Sequence, residues 1–242
     1  MTILGIDTSN QSMSLCLGED NNLLGSYFTS VQKNHSVTLM PAIDFLMTSN
    51  NKQPKDLTKI IVAKGPGSYT GLRIGVTTAK TLAWTLGIDL YAVSSLALMA
   101  ESKKKFDGLI VPIMNARREN VYTGAYQWQK GRLVTVIEDH HTSLETWLNQ
   151  LNNQKEAVFL IGSDLSVFAD HLADLKGSKI TYSKDKISNE INPTSFLTLE
   201  NQSVKVEDIE GFIPDYLKRV EAEEKWLETH GPNEVSNYVE RV

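Results

Sequence analysis

An acid and two hydroxyls, Asp7-Thr8-Ser9, stand directly after the strand-like run Thr2–Ile6. In that position they could orient a metal-bound or phosphate-bearing ligand. The same residues also suit a hairpin turn closed by side-chain-to-backbone bonds. A second stretch, Lys64-Gly65-Pro66-Gly67-Ser68-Tyr69-Thr70-Gly71-Leu72-Arg73, follows Ile60–Ala63 and opens a helical period that reaches Leu86. A helix mouth leaves backbone N–H groups unpaired and can hold an anion. Glycines there can equally let two backbones pass closely. Five residues separate Gly65 from Gly71, and Leu72-Arg73 follows, so the spacing and the lysine of a P-loop are both missing. Thr70 stands where a dinucleotide fingerprint needs its last glycine or alanine. Asp7, Thr8, Ser9, Gly65, Gly67 and Ser68 are therefore candidates for a vestigial nucleotide or anion site, or for two turns that merely pack together.

Other chemistry is thinner. No two of the histidines His35, His140, His141, His171 and His230 are three or four residues apart, the spacing that puts two ligands on one helical face, so no metal is expected. Ser68, Ser94 and Ser95 lack a nucleophile-elbow context. The single cysteine, Cys16, lies in the alternating run Ser12–Leu17 and reads as a core thiol. It allows no internal disulfide and fits a reducing, cytoplasmic setting. The net charge of −5 argues against a strong nucleic-acid grip by this chain alone. The start, Met1-Thr2-Ile3-Leu4-Gly5-Ile6-Asp7, reaches an acid too early for a signal peptide, and no run of about 18 apolar residues predicts a membrane span.

Hydrophobic periodicity supplies the elements that must position these residues. Strands are expected at Thr2–Asp7, Ser12–Leu17, Leu23–Thr29, Ile60–Ala63 and Leu90–Val93. Helices are expected at His35–Thr48, broken or kinked by Pro41 near Met40, from Tyr69, and over Ser94–Lys105. Residues 106–242 echo this order less cleanly. Strands are read at Leu109–Met114, Val121–Trp128, Leu133–Glu138, Ala157–Ile161 and Ile180–Tyr182. Helices are read at Leu144–Leu151, Asp164–Leu175, Thr194–Glu200 and Val220–Glu228, with His140 and His141 in a loop. The fold class is α/β, with an N-terminal domain over 1–105 and a smaller C-terminal domain over 106–242.

Two helices carry more apolar surface than one sheet can cover. Leu72, Val76, Ala79, Leu82, Ala83 and Leu86 form a stripe on the second, flanked by Arg73, Lys80 and Trp84. Leu39, Met40, Ala42, Ile43, Leu46 and Met47 form a wide side of the first, with Val37 and Phe45 outside it. The surplus suggests a partner face, or two helices that cover each other.

Lys64 to Gly75 resembles the G-P-G-S-F-T-G-x-R-x-G signature of the bacterial TsaB family, formerly called glycoprotease-like. Ile3–Ser9 is similar to that family's I-L-x-I-D-T-S start, Val93–Leu96 to its V-S-S-L segment, and Pro214–Leu217 to its P-x-Y-L. Asn115-Ala116-Arg117-Arg118-Glu119-Asn120-Val121-Tyr122 resembles D-A-R-R-x-E-V-Y, with Asn115 and Asn120 replacing acids. The resemblance spans nearly the whole chain. It implies an actin-like (sugar-kinase-like, ribonuclease H-like) ATPase fold of two related α/β halves with mixed sheets. It also implies a non-catalytic role in making N6-threonylcarbamoyladenosine at position 37 of tRNAs that read codons beginning with A. The implied partners are the catalytic paralogue TsaD, the ATPase TsaE and, through the complex, tRNA. A homodimer through the same helices is also implied as an option, as is ATP or ADP in the assembled complex. The TsaD contact would use His35, Leu39, Ile43 and Leu46 of the first helix and Tyr69, Leu72, Arg73, Val76, Lys80, Ala83 and Trp84 of the second. TsaD carries a metal-binding H-x-x-x-H where this chain has Ser95-Leu96-Ala97-Leu98-Met99, so both ligands are replaced. The competing readings are an actin-like-fold enzyme (a small-molecule kinase or a glycoprotease-like peptidase) and a direct tRNA binder.

Overall fold

The computed structural model describes residues 1–30, 34–173, 175 and 178–218. Two mixed sheets share one strand order. In the first, β1 (Thr2–Asp7) pairs antiparallel with β2 (Met13–Glu19), which pairs antiparallel with β3 (Asn22–Thr29). On its other side β1 runs parallel to β4 (Lys59–Ala63), and β4 parallel to β5 (Asp89–Val93). In the second, β6 (Leu109–Asn115), β7 (Asn120–Gln129) and β8 (Arg132–Ser143) form the antiparallel side. β9 (Val158–Ile161) and β10 (Ile180–Tyr182) form its parallel side. The orders β3-β2-β1-β4-β5 and β8-β7-β6-β9-β10 are thus one pattern used twice, as expected for two related halves of an actin-like fold.

Alternation along the strands decides what each face of the first sheet meets. Leu4, Ile6, Leu15, Leu17, Ile60 and Val62 face α1 (His35–Ser49) and α2 (Tyr69–Leu86). Ile3, Cys16, Ile61 and Ala63 face the other way, into the core shared with α3 (Ser95–Glu101) and α6 (Ser195–Thr198). Cys16 is fully buried, and burial pushes its thiol up to about 12, as a core thiol requires. Trp147 of α4 (Leu144–Asn152) anchors a third cluster behind the second sheet.

Local chemistry sets the helix ends. Asn34 caps α1 through Ser36 N–H, Ser68 caps α2 through Gly71 N–H, and Gly87 closes α2 in the left-handed region at φ 66°. The break expected near Met40 is absent, and α1 runs through Pro41. Val37 and Pro41 lie on its solvent side, so water can take the Val37 carbonyl that the proline leaves without an N–H donor.

Elsewhere the elements depart from the periodicity. The helix begun by Ser94 stops at Glu101, and the lysines that follow lie in turns. β8 continues to Ser143, so His140 and His141 are strand residues rather than loop residues; their rings lie against Trp147 (4.8 Å) and Tyr122 (5.6 Å). The segment read as helix Asp164–Leu175 is a 3-10 turn, Ser163–Phe168, followed by α5 (Ala169–Ala173). α6 is a single turn followed by a 3-10 turn, Glu200–Gln202. The chain then crosses back to the first half. Ser14 Oγ donates to the Ile191 carbonyl (2.8 Å), Lys59 pairs with Glu200 (2.9 Å), and β11 (Val204–Lys205) adds to β5. Residues beyond β10, read from the sequence with the second half, thus pack on the first sheet. The expected helix Val220–Glu228 and the tail after it lie outside the described residues.

Candidate functional site

The turn after β1 and the turn before α2 are built on each other. Ser9 N–H donates to Asp7 Oδ1 (3.0 Å), Thr8 Oγ1 donates to the Gly71 carbonyl (2.7 Å), and Ser68 N–H donates to the Ser9 carbonyl (2.7 Å). A Cβ on Gly71 would sit 2.1 Å from the Thr8 carbonyl oxygen, and one on Gly75 2.3 Å from Thr8 Oγ1. These glycines therefore serve close approach of helix and strand, one of the two uses open at the sequence level. Gly65 rests against the Asp215 carbonyl and Gly67 against that of Ser9.

The two turns line one wall of a cleft of about 800 Å³ between the sheets. Ser9, Asn10, His35 and the mouth of α2 face Asn115, Arg117, Tyr122 and Asp164 across it. Asp7 lies beneath, fully buried, with Oδ2 lacking a hydrogen-bond partner. Burial raises its carboxyl from 3.8 to about 6, against the pull of the Ser9 hydrogen bonds and His35; Glu190 adds to the rise. Ser9 Oγ also lacks a partner.

The opposite wall is strained. Arg117, Arg118 and Glu119 hold φ of 65°, 51° and 59°, a conformation costing a non-glycine residue about 1 kcal/mol. The loop is fastened by Ala116 N–H to the Asn120 carbonyl and Asn120 Nδ2 to the Arg118 carbonyl, both 2.9 Å. An ionised glutamate at 120 could not make that second bond. Asn115 Oδ1 accepts Arg117 N–H (2.8 Å), and Asn115 N–H donates to Asp164 (3.0 Å). Asn115 is thus a neutral loop-holding residue. The cleft can receive an anion at the Tyr69 and Thr70 amides of the α2 mouth and at Arg117, but it presents no carboxylate at 115 to share a metal with a phosphate. Among the described residues no cluster of three His, Cys, Asp or Glu side chains has metal-binding geometry.

α1 and α2 lie side by side on the first sheet, and the structure divides their expected partner residues into two groups. Leu39, Ile43, Leu46, Leu72, Val76 and Ala83 face the sheet and are buried, because the broadest apolar stripe is the one that makes the core. The outward side chains are Val37, Met40 and Phe45 on α1 and Tyr69, Arg73 and Trp84 on α2. Val37, Met40, Phe45 and Trp84 are 66%, 48%, 62% and 67% exposed. His35 sits at the cleft, its Nε2 3.0 Å from the Asn10 carbonyl.

Lys80 serves the chain itself. Its Nζ donates to the carbonyls of Glu210 and Phe212, both 2.7 Å, while Val206, Ile209 and Phe212 pack against the core beneath α2 and Tyr216 stacks on Tyr69 (4.8 Å). Lys80→Met is expected to cost about 1–2 kcal/mol, the worth of lost charge-assisted bonds. Urea unfolding reads that loss, and hydrogen exchange should quicken at residues 206–216.

Sequence reasoning missed a further polar knot. Asp139 accepts Ser94 Oγ (2.5 Å) and the Tyr126 hydroxyl, tying the α3 cap to the second sheet. Burial raises the Asp139 carboxyl from its ordinary value, against the pull of the Ser94 and Tyr126 hydrogen bonds. Asp139 lies one residue past the strand expected at Leu133–Glu138, so the periodicity gave no signal for it.

The family model for TsaD, tRNA N6-adenosine threonylcarbamoyltransferase, matches residues 25–226. The chain is 44% identical over 231 residues to the tRNA threonylcarbamoyladenosine biosynthesis protein TsaB of Bacillus subtilis, covering 95% of this chain and 99% of that protein. To TsaB of Escherichia coli it is 30% identical over 129 residues, 52% of this chain and 55% of that protein. A crystal structure of a protein from Pseudomonas aeruginosa with similarity to peptidase YEAZ superposes with a TM-score of 0.72 at 21% identity, covering 90% of this chain and 99% of that one. A second, of YeaZ from the same organism, gives 0.70 at 20% identity over 89% of this chain and 99% of that chain. Both show the same fold.

Proposed function

This chain belongs to the TsaB family of tRNA threonylcarbamoyladenosine biosynthesis proteins, and on that premise we propose that it is a non-catalytic subunit that docks on and activates a TsaD-type transferase. The observation carrying this reading is the outer face of α1 and α2. Val37, Met40 and Phe45 recur at helical spacing on α1, and Trp84 and Tyr69 stand on its neighbour α2. Aromatic and methionine side chains left this exposed are costly for a free chain and are the residue types that interfaces use. The TsaE-type ATPase, with its ATP or ADP, and tRNA join through the assembled complex, in the cytoplasm. The Asn115 loop and the replaced Ser95–Met99 ligands support a partner role over a catalytic one.

Ile43 and Val76 are core residues, so charges there would test folding. The informative change is Phe45→Asp with Val37→Asp, both on the exposed face. Burying one Phe is worth about 2–3 kcal/mol, so the pair should weaken binding to the TsaD-type subunit at least about 100-fold. Coexpression and copurification read this, with thermal melting as the folding control. Undiminished copurification removes this face from the reading. ATP turnover by the purified chain, abolished in Asp7→Ala, would favour an enzyme instead.

A further inference from the structure

We propose that the lysine-rich turn after α3, together with the adjoining edge of the second sheet, is a contact site for RNA. The proposal rests on the reading above, in that RNA is the substrate of the complex the chain serves. A cleft of about 450 Å³ opens here between Lys103, Lys105, Phe106, Phe159, Asn192 and Thr194. The Phe106 and Phe159 rings lie 5.3 Å apart. Two lysines sit over aromatic rings on this face: Lys103 over Phe159 (5.5 Å) and Lys104 over Trp128 (5.5 Å).

The charges here are not all used by the fold. Lys104 is satisfied by Glu101 (2.6 Å) and Thr198 (3.1 Å). Lys103 and Lys105 make no ion pair among the described residues. Lys103 is half-buried, and burial lowers its pKa against a weak opposing pull from Asp185. An anion at this point would relieve that desolvated ammonium. Of the acids here, Glu101 is already paired, and Asp185 is the one whose charge acts on Lys103. Cations interleaved with ring faces in a concave site match a phosphate chain carrying stackable bases.

The overall net charge does not oppose this. Residues 219–242 carry six glutamates against three cationic side chains, so the remainder of the chain is close to balanced. Phe106, Trp128 and Phe159 pack against the core between the sheets, whereas α1 and α2 lie on the opposite face of the first sheet. A subunit seated on α1 and α2 therefore leaves this edge open.

The test uses the full chain with Lys103→Gln and Lys105→Gln, changes that remove charge without adding bulk. Fluorescence anisotropy at low salt compares a labelled tRNA transcript with AMP. The double variant should bind tRNA about tenfold more weakly. Its slope of log affinity against log salt should also fall by roughly 1–2, one lost phosphate contact per lysine. Its melting temperature and its copurification with the TsaD-type subunit should be unchanged. Unchanged tRNA affinity overturns the proposal. AMP binding as tight as tRNA binding also overturns it, because the cleft would then be a free-nucleotide pocket. Loss of copurification in Phe45→Asp alone, with tRNA binding intact, supports the separation of the two surfaces.

Discussion

Gly71→Ala is expected to destabilise the protein by about 2–4 kcal/mol, although alanine is the better helix former by about 1 kcal/mol. The new Cβ would stand 2.1 Å from the Thr8 carbonyl oxygen, a backbone atom held at the end of β1. Relief requires moving α2 from the strand, and that motion breaks the Thr8 hydroxyl bond to the Gly71 carbonyl. Gly87→Ala is the control. Its Cβ meets nothing within 4 Å, so only the left-handed backbone at φ 66° opposes it, at about 1 kcal/mol. Urea unfolding of both variants reads the difference. A Gly71→Ala protein as stable as the parent would show that the contact yields, and the close-approach account of the glycine stretch would fail.

Asp7→Asn works in the opposite direction. The Asp7 carboxyl titrates at about 6 in the folded chain against 3.8 as its ordinary value, because burial disfavours the charge. Between these values the folded state binds more protons than the unfolded one, so stability falls as pH rises through about 4 to 6 and stays low above. The gap corresponds to about 3 kcal/mol. Asparagine keeps an oxygen for Ser9 N–H and carries no charge. The variant should therefore exceed the parent by about 2–3 kcal/mol at pH 7.5 and match it near pH 4. Melting temperatures across that range test the sign as well as the size. A difference that grows toward acid pH would mean that Asp7 is stabilised as the carboxylate, contrary to its unpartnered Oδ2.

What the sequence disclosed was local. Tyr69 as the start of α2 and the alternating strands follow from neighbours in the chain, and the fold class followed from their order. Periodicity also found the apolar stripes of α1 and α2, but a period has no inside or outside. The broad stripe holding Leu39 and Ile43 went to the sheet, while Val37 and Phe45, set apart from it, became the exposed ones. Contacts between distant residues left no trace at all. β11 is two residues long, Lys80 reaches carbonyls some 130 positions away, and Asp139 meets Ser94 across the two halves. The left-handed run Arg117–Glu119 was equally hidden, because no glycine marks it.

The return of the chain to the first sheet bears on biosynthesis. β5 gains its outer neighbour, and the flank of α2 its cover, from residues 204–216, which leave the ribosome only after the whole second sheet. A nascent chain halted before them holds an N-terminal half with an open sheet edge and an unsupported Lys80. If the outer face of α1 and α2 is the docking surface we propose, its flank is completed only once the second half has been made, which discourages premature assembly on shorter products.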